Sequence, residues 1–515
     1  MPKPIRKDDG PIKLRFGGGI NTRAAEQDVD AMECTAGQNF QLNAGDFQFK
    51  PRAPLDLIGT APNASSIDGG ATLLQSDGTI SALIQAGTTV YEVTNLSSSP
   101  TWTSKGTVTS GAKLRGRLEH QWQLSDKVLI TDLALVEPIK SWDGTTLSDI
   151  TFTDECSNSF GEFRARYCYV EDERAVFANV WDNSASYPHL IVGSKRSDYT
   201  QITVANKPSS AISDSDPFYL VQPDNYYING IAENFGQIVI SSKKGNLYKM
   251  TGTGASNFAM VLLAVRGSAD GSEPLAVTAN DILYGKAGAI HSVNATSSYG
   301  DIQTTELSWN ISPSIDKYTT WTLAHNNRLR RTYCYSDSTS ELWVLHHNVM
   351  ETTKLSPWSK WVTSLTFGMD PTFMMPMLDP SDGLEYIIVG DSSGNLYKLE
   401  GTTGGGDGGD TAVVTNRTSG LLSSEAEGEI FDIEGWVKYK DKAAVSLTLD
   451  FMFSGMHNMT NVITIAIPSG SSNIKRQPFG VPGQSTDVQI KTAVSDVDDF
   501  LVSEVGFRWS EVDDG

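Results

Sequence analysis

The chain has 515 residues, enough for two or three domains and a large buried core. Hydrophobic residues make up 39% and charged residues 20%, a balance that suits a folded soluble protein and argues against disorder. Against 40 basic residues stand 61 acidic ones, for a formal net charge of −21, the wrong sign for gripping nucleic acid through its phosphates.

The first residues, "MPKPIRKDDG", are charged with no apolar stretch behind them, so no secretory signal is expected. The best helical candidate is short, Thr22 to Ala36 in "NTRAAEQDVDAMECTAG". Almost everything afterwards reads as strands: "ISALIQAG", "KVLITD", "RAVFANV", "GQIVISS", "EYIIVGD" and "AVSLTLDFMF", separated by clusters of Gly, Ser and Thr. The longest apolar run, Phe258 to Val265, is strand-sized and far short of the ~20 residues a bilayer requires, so no membrane-spanning segment is expected.

One phrase occurs twice. "SSKKGNLYKMTGTG" begins at Ser241 and "GDSSGNLYKLEGTT" at Gly390, each an apolar residue followed by tyrosine and then a closing glycine. The pairs are Leu247-Tyr248, closed by Gly252, and Leu396-Tyr397, closed by Gly401. Val90-Tyr91 stands in the same slot of "ISALIQAGTTVYEVTN", and Ile139, Leu190, Ile290 and Leu342 mark it elsewhere. Successive anchors lie about 50 residues apart, the length of four short strands in a propeller blade. One twisted four-stranded sheet cannot bury both faces alone; radial packing covers each face with a neighbour.

A glycine-rich connector, "TTGGGDGGD" from Thr402 to Asp410, interrupts this pattern. Beyond it Val445, Leu447, Leu449, Phe451 and Phe453 alternate with mostly polar residues, the two-residue period of a strand packed on one side. The fold class expected is therefore all-β, with a β-propeller of about seven four-stranded blades and a small C-terminal β-sandwich-like domain. The expected division is an N-terminal arm and assembly segment at 1–60, the propeller at 61–402, the linker at 403–410 and the C-terminal β domain at 411–515.

Catalytic signals are weak. Gly390-Asp391-Ser392-Ser393-Gly394 matches G-x-S-x-G, but that motif needs a helix after it and here a strand follows. His346-His347 would point to opposite faces of a strand, one buried and one exposed, which is poor for chelation. Asp214/Asp216, Asp379/Asp382 and Asp496/Asp498/Asp499 read as solvated turns, none matching a calcium loop. Cys34, Cys156, Cys168 and Cys334 lack metal-ligand spacing and suit a reducing compartment, Cys168 and Cys334 as buried thiols. Met369, Met374, Met375 and Met377 are expected to fill the wedge between blades, and Trp102 and Trp358 to open equivalent strands. No catalytic, cofactor-binding or metal residue is assigned, and no cofactor is expected.

Near the start, Gly18 to Thr22 ("GGINT") leads to "QNFQLNAGDFQFKPR", Gln38 to Arg52. With "PWSKW" and a terminal "EVGFRWSE", this resembles the tail nozzle proteins of short-tailed bacteriophages, also called tail hub or tail tubular B proteins. Pro51-Arg52 reverses the Arg-Pro order of that family. The resemblance implies a structural virion protein without enzymatic activity. It implies a homohexamer at the distal end of the tail, assembled in the host bacterial cytoplasm, that docks below a tail adaptor ring and anchors fibres or spikes. Such a ring lines or gates the DNA exit channel, and six copies of a −21 chain would let DNA slide without tight binding. The alternatives are a propeller-based receptor- or carbohydrate-binding module and, behind it, a glycan hydrolase.

Overall fold

A computed structural model describes residues 12–511 apart from 15–18, 44–47, 154–160, 204–212, 265–270, 296–301, 363–370, 402–413, 424–429, 455–458, 496–500 and shorter gaps. Seven antiparallel units of four main strands follow one another from Ile67 to Lys398. Their innermost strands are Ile67–Leu74, Leu114–Gly116, Arg164–Glu171, Ile228–Asn234, Leu275–Thr278, Thr322–Asn326 and Pro371–Leu378. Each blade lies beside the next, the second meeting the third through its second strand, Lys127–Asp132, and the seventh lies beside the first, so the units close into a seven-bladed propeller. The first and second blades approach so closely that their inner strands pair in parallel, Arg115 opposite Gly70 and Gly116 opposite Ala71.

The repeated phrase marks one place in every blade. Val90, Leu190, Leu247, Ile290, Leu342 and Leu396 lie on third strands, and Ile139 immediately precedes one; all seven are buried. In the first, fourth and seventh blades the pairing with the outer strand slips between the anchor and its tyrosine, at Val90/Tyr91, Leu247/Tyr248 and Leu396/Tyr397. That slip is a β-bulge, which bends the strand and re-aims the side chain beside it. The duplicated phrase is thus a bulge written into the third strand.

The seventh blade is completed by the other end of the chain. Its outer strand is Asp56–Thr60, paired antiparallel with Asn395–Lys398. This strand falls on the arm side of the 60/61 division expected from sequence but is part of the ring. Buried Lys398 Nζ lies 3.8 Å from Asp56 Oδ2 across the seam.

The C-terminal strands form a sandwich of two mainly antiparallel sheets. One runs Ser471–Ser485, Ile430–Asp441, Leu501–Glu511, Gln48–Pro51, Phe40–Asn43; the other runs Ala36–Gln38, Val414–Thr418, Asp487–Ser495, Val445–Ser454, Met459–Ile467. Leu447, Leu449 and Phe451 are buried and Thr448, Asp450 and Met452 are half-buried, the alternation the sequence shows. The arm strands Ala36–Gln38, Phe40–Asn43 and Gln48–Pro51 are shared between the two sheets, which the expected division at 411 does not anticipate. They also hold the outer strand of the sixth blade, Trp358–Val362. Trp361 Nε1 donates to the Phe40 carbonyl at 2.9 Å, and Asn39 Oδ1 accepts from the Val362 N–H at 2.8 Å and Arg52 Nε at 3.0 Å. One apolar core runs from Leu447 and Ile490 of the sandwich through Phe40 to Trp358 and Leu345 of the sixth blade.

The helix expected at Thr22–Ala36 does not form among the described residues of that stretch. Glu33–Cys34 pairs in parallel with Gly19–Ile20, and Asn21 Nδ2 donates to Glu33 Oε2 at 2.7 Å. Alanine's helical preference is overridden by a tertiary partner.

Candidate functional site

Four antiparallel strands return the chain to its starting direction, so every inner strand runs the same way along the axis. The turns from first to second strand, with the strand ends beside them, therefore gather at one face; they carry Asp77, Glu119, Glu171, Glu233, Asp281 and Glu385, against Arg328 and Arg330 in the sixth blade. Behind this acidic face, the axis is crossed by ion pairs. Arg115 Nε donates to Glu273 Oε2 at 2.8 Å, and Arg117 Nη2 to Glu273 Oε1 at 2.5 Å. The arginines stand on the inner strand of the second blade and just beyond it; the carboxylate precedes that of the fifth, across the ring. Arg115 also donates to the carbonyls of Asp68 (2.8 Å) and Leu114 (2.9 Å) and lies over the Phe373 ring. Burial alone would raise the Glu273 carboxyl, but the two guanidiniums outweigh it and hold it below its ordinary value.

Beside this cluster is a cavity of about 50 Å³, lined among others by Arg117, His120, Arg166, Tyr167, Tyr169 and Glu233. A second cavity, about 190 Å³, shares Arg117, Glu119 and Val277 with it and extends to His325, Asn327 and Glu385. Tyr169 Oη donates to Glu233 Oε2 at 2.7 Å; burial and that carboxylate push the phenol far above its ordinary value, so it stays protonated. Burial pushes His120 down to about 4, leaving it neutral at physiological pH. Glu171 and Glu385 are raised by burial.

The residues singled out in the sequence lie elsewhere. Ser392 and Ser393 sit in a strand-to-strand turn in which Asp391 Oδ1 accepts from the N–H groups of Ser393 and Asn395, and Gly394 has φ +84°. Both His346 and His347 are buried, correcting the expectation of one exposed ring, because His347 begins a short helix, His347–Thr353, instead of continuing the strand. His346 Nε2 lies 2.8 Å from Ser359 Oγ; His347 Nε2 and His325 Nδ1 share Thr332 Oγ1 at 2.8 and 2.9 Å. Among the described residues no group of histidine, cysteine or acidic side chains is placed to hold a metal. Asp379 and Asp382 cap turns through Ser381, Leu384 and Leu96 N–H groups, and Asp214 Oδ1 accepts from Ser256. The Asp496 cluster, Cys156 and Met369 lie outside the described residues. Met374 packs toward the sixth blade and Met375 and Met377 toward the first, while Trp102 and Trp358 open the fourth strands of their blades. Cys168 and Cys334 are buried, and burial raises both thiols far above their ordinary value.

Sequence reasoning missed the axial arginines. Their signal is "RGR" (Arg115–Arg117) and "RAR" (Arg164–Arg166), arginines two apart in β-type segments of an acidic chain, which puts each pair on one face.

No protein-family model matches the chain, and no curated protein does. Among solved structures, an exo-β-1,3-galactanase from Phanerochaete chrysosporium, a variant bound to β-1,3-galactotriose, aligns at 8% identity over 88% of this chain and 98% of its own, with a TM-score of 0.28. The same enzyme with galactose gives 9% identity over 88% and 100%, with a TM-score of 0.27. The computationally designed Ika8 protein gives 10% identity over 68% and 99%, with a TM-score of 0.31. The propeller assignment rests on the strand pairing described above.

Proposed function

We propose that this chain is a structural, non-catalytic ring protein of the tail-nozzle kind, which oligomerises at the tip of a short phage tail and takes its place in the virion. The observation that carries the reading is the arm between Ala36 and Thr60. It supplies strands to both sheets of the sandwich and then the outer strand of the seventh blade, so neither domain opens without releasing the other. A double latch of this kind suits a part that bears load. It is the arm, too, that carries most of the resemblance to nozzle proteins. The axis of one propeller is crossed by the Arg115–Glu273–Arg117 cluster, so DNA would pass between subunits, repelled by their acidic surfaces.

Negative-stain imaging and mass photometry, with the chain alone and mixed with a portal-adaptor ring, test this reading. Hollow six-fold rings are expected; a monomer under both conditions rejects it. A second reading, a receptor- or carbohydrate-binding module, is favoured by adjacent Tyr226 and Tyr227, 48% and 59% exposed between the third and fourth blades. A glycan screen against the Tyr226→Ala/Tyr227→Ala double variant separates the two.

A further inference from the structure

We propose that the axial cavity binds a small ligand bearing one oxyanion, a carboxylate or phosphate group, on an otherwise neutral and hydroxyl-rich body. This role is independent of any load the ring bears. The first support is an unused donor: Arg166 lines the cavity, makes no ion pair among the described residues, and its buried Nε has no hydrogen-bond partner there. The second is His120, 6% exposed and neutral, which lines the same cavity with Nδ1 unpartnered and able to accept from a hydroxyl of the ligand. A buried donor left unmade is costly, and a ligand that accepts its proton recovers that cost.

Charge points the same way. Arg115, Arg117 and Arg166 converge on the cavity; Glu273 pairs with both Arg115 and Arg117, and Arg166 is left without an ion pair among the described residues. The other carboxylates are engaged or outside: Glu233 accepts from Tyr169 and from the Gly236 N–H, and Glu119 is exposed at the mouth. A guanidinium that faces an enclosed cavity without a carboxylate partner is the setting in which a planar or tetrahedral oxyanion is held by charge-assisted hydrogen bonds.

Size limits the ligand. Each water needs roughly 10–15 Å³ of such volume, so the inner cavity of about 50 Å³ holds a single oxyanion group. The adjoining cavity of about 190 Å³ takes the rest of the molecule, and its His325, Asn327 and Glu385 suit hydroxyl groups. Glu119 and Glu385 at this outer end repel a second negative charge. A sugar acid or a singly phosphorylated sugar satisfies all three limits; a polyphosphate does not.

The test is calorimetric titration of the full chain with glucuronate, with inorganic phosphate and with glucose, at matched ionic strength. Binding of glucuronate identifies a carboxylate ligand, and binding of phosphate alone a phosphorylated one. In either case Arg166→Gln is expected to weaken affinity by about tenfold or more, the loss of one charge-assisted contact. Glu119→Gln, which removes a negative charge from the mouth, is expected to tighten binding of the anion. If Arg166→Gln does not fold, Arg166→Lys, which keeps the charge and loses the fork, is expected to bind at an intermediate level. Ligand-induced shifts of the His120 ring resonances supply a second readout. The proposal is overturned if neither anion binds, if glucose binds as well as glucuronate, or if affinity is indifferent to the Arg166 substitutions.

Discussion

His325 and His347 show how much a single residue type sets the response to acid. Burial lowers His325 to about 3 and His347 to about 4, each also disfavoured by nearby positive charge, and burial lowers His120 and His291 to about 4. The unfolded chain therefore binds protons near pH 6.5 that the folded chain refuses, and stability present above 6.5 is lost as pH falls toward 4. Asp281, raised by burial to about 6, works in the opposite sense, its contribution fading as pH rises from 4 to 6, as do Glu171 and Glu385, also raised by burial. The histidines set the sign between pH 7 and 5. The urea midpoint is expected to fall over that interval, and the fall to shrink in the His325→Gln/His347→Gln variant. An equal fall in wild type and variant would place the acid sensitivity elsewhere. None of this was legible beforehand, because a histidine's burial depends on what packs over it and not on its neighbours in the chain.

At the level of strands, the period was readable and the pairing was not. All seven anchors mark third strands because each must bury one apolar side chain between blades, a requirement that leaves a local trace. The closing strand Asp56–Thr60 left no such trace, since its partner Asn395–Lys398 lies more than three hundred residues away. Its side chains make a sharp test. Ile58, 4% exposed, packs between the seventh and first blades, whereas Leu57 on the opposite face is 43% exposed. Ile58→Asp buries an unpaired carboxylate and is expected to cost about 3 kcal/mol or more. Leu57→Asp is expected to change stability by about 0.5 kcal/mol or less, both measured by denaturant unfolding. Equal losses would mean that the strand does not seal the ring as described.

For the molecule as a whole, the sequence marked two β bodies separated by a connector but hid their dependence on each other. Alternation shows that a strand has an inside; it does not show which chain segment supplies the neighbour. Here Phe40 and Leu42 of the arm, with Trp358 of the sixth blade, pack in one core with the sandwich, fully or almost fully buried. A chain ending at residue 401 is thus expected to expose this apolar face. It should bind a hydrophobic dye and elute as aggregates in gel filtration. A monodisperse ring that binds no dye would show the propeller to be self-sufficient.

The latch also imposes an order of events on biosynthesis. Residues 36–60 leave the ribosome well before their partners, Asn395–Lys398 and the strands from Val414 to Glu511. At roughly 5–20 residues per second the leading segment waits tens of seconds with its strand edges bare. Blades one to six can stack meanwhile, but the circle is sealed only after translation has passed its final turn. Any factor that shields the nascent leader during this interval would govern the yield of sealed molecules without touching the finished one.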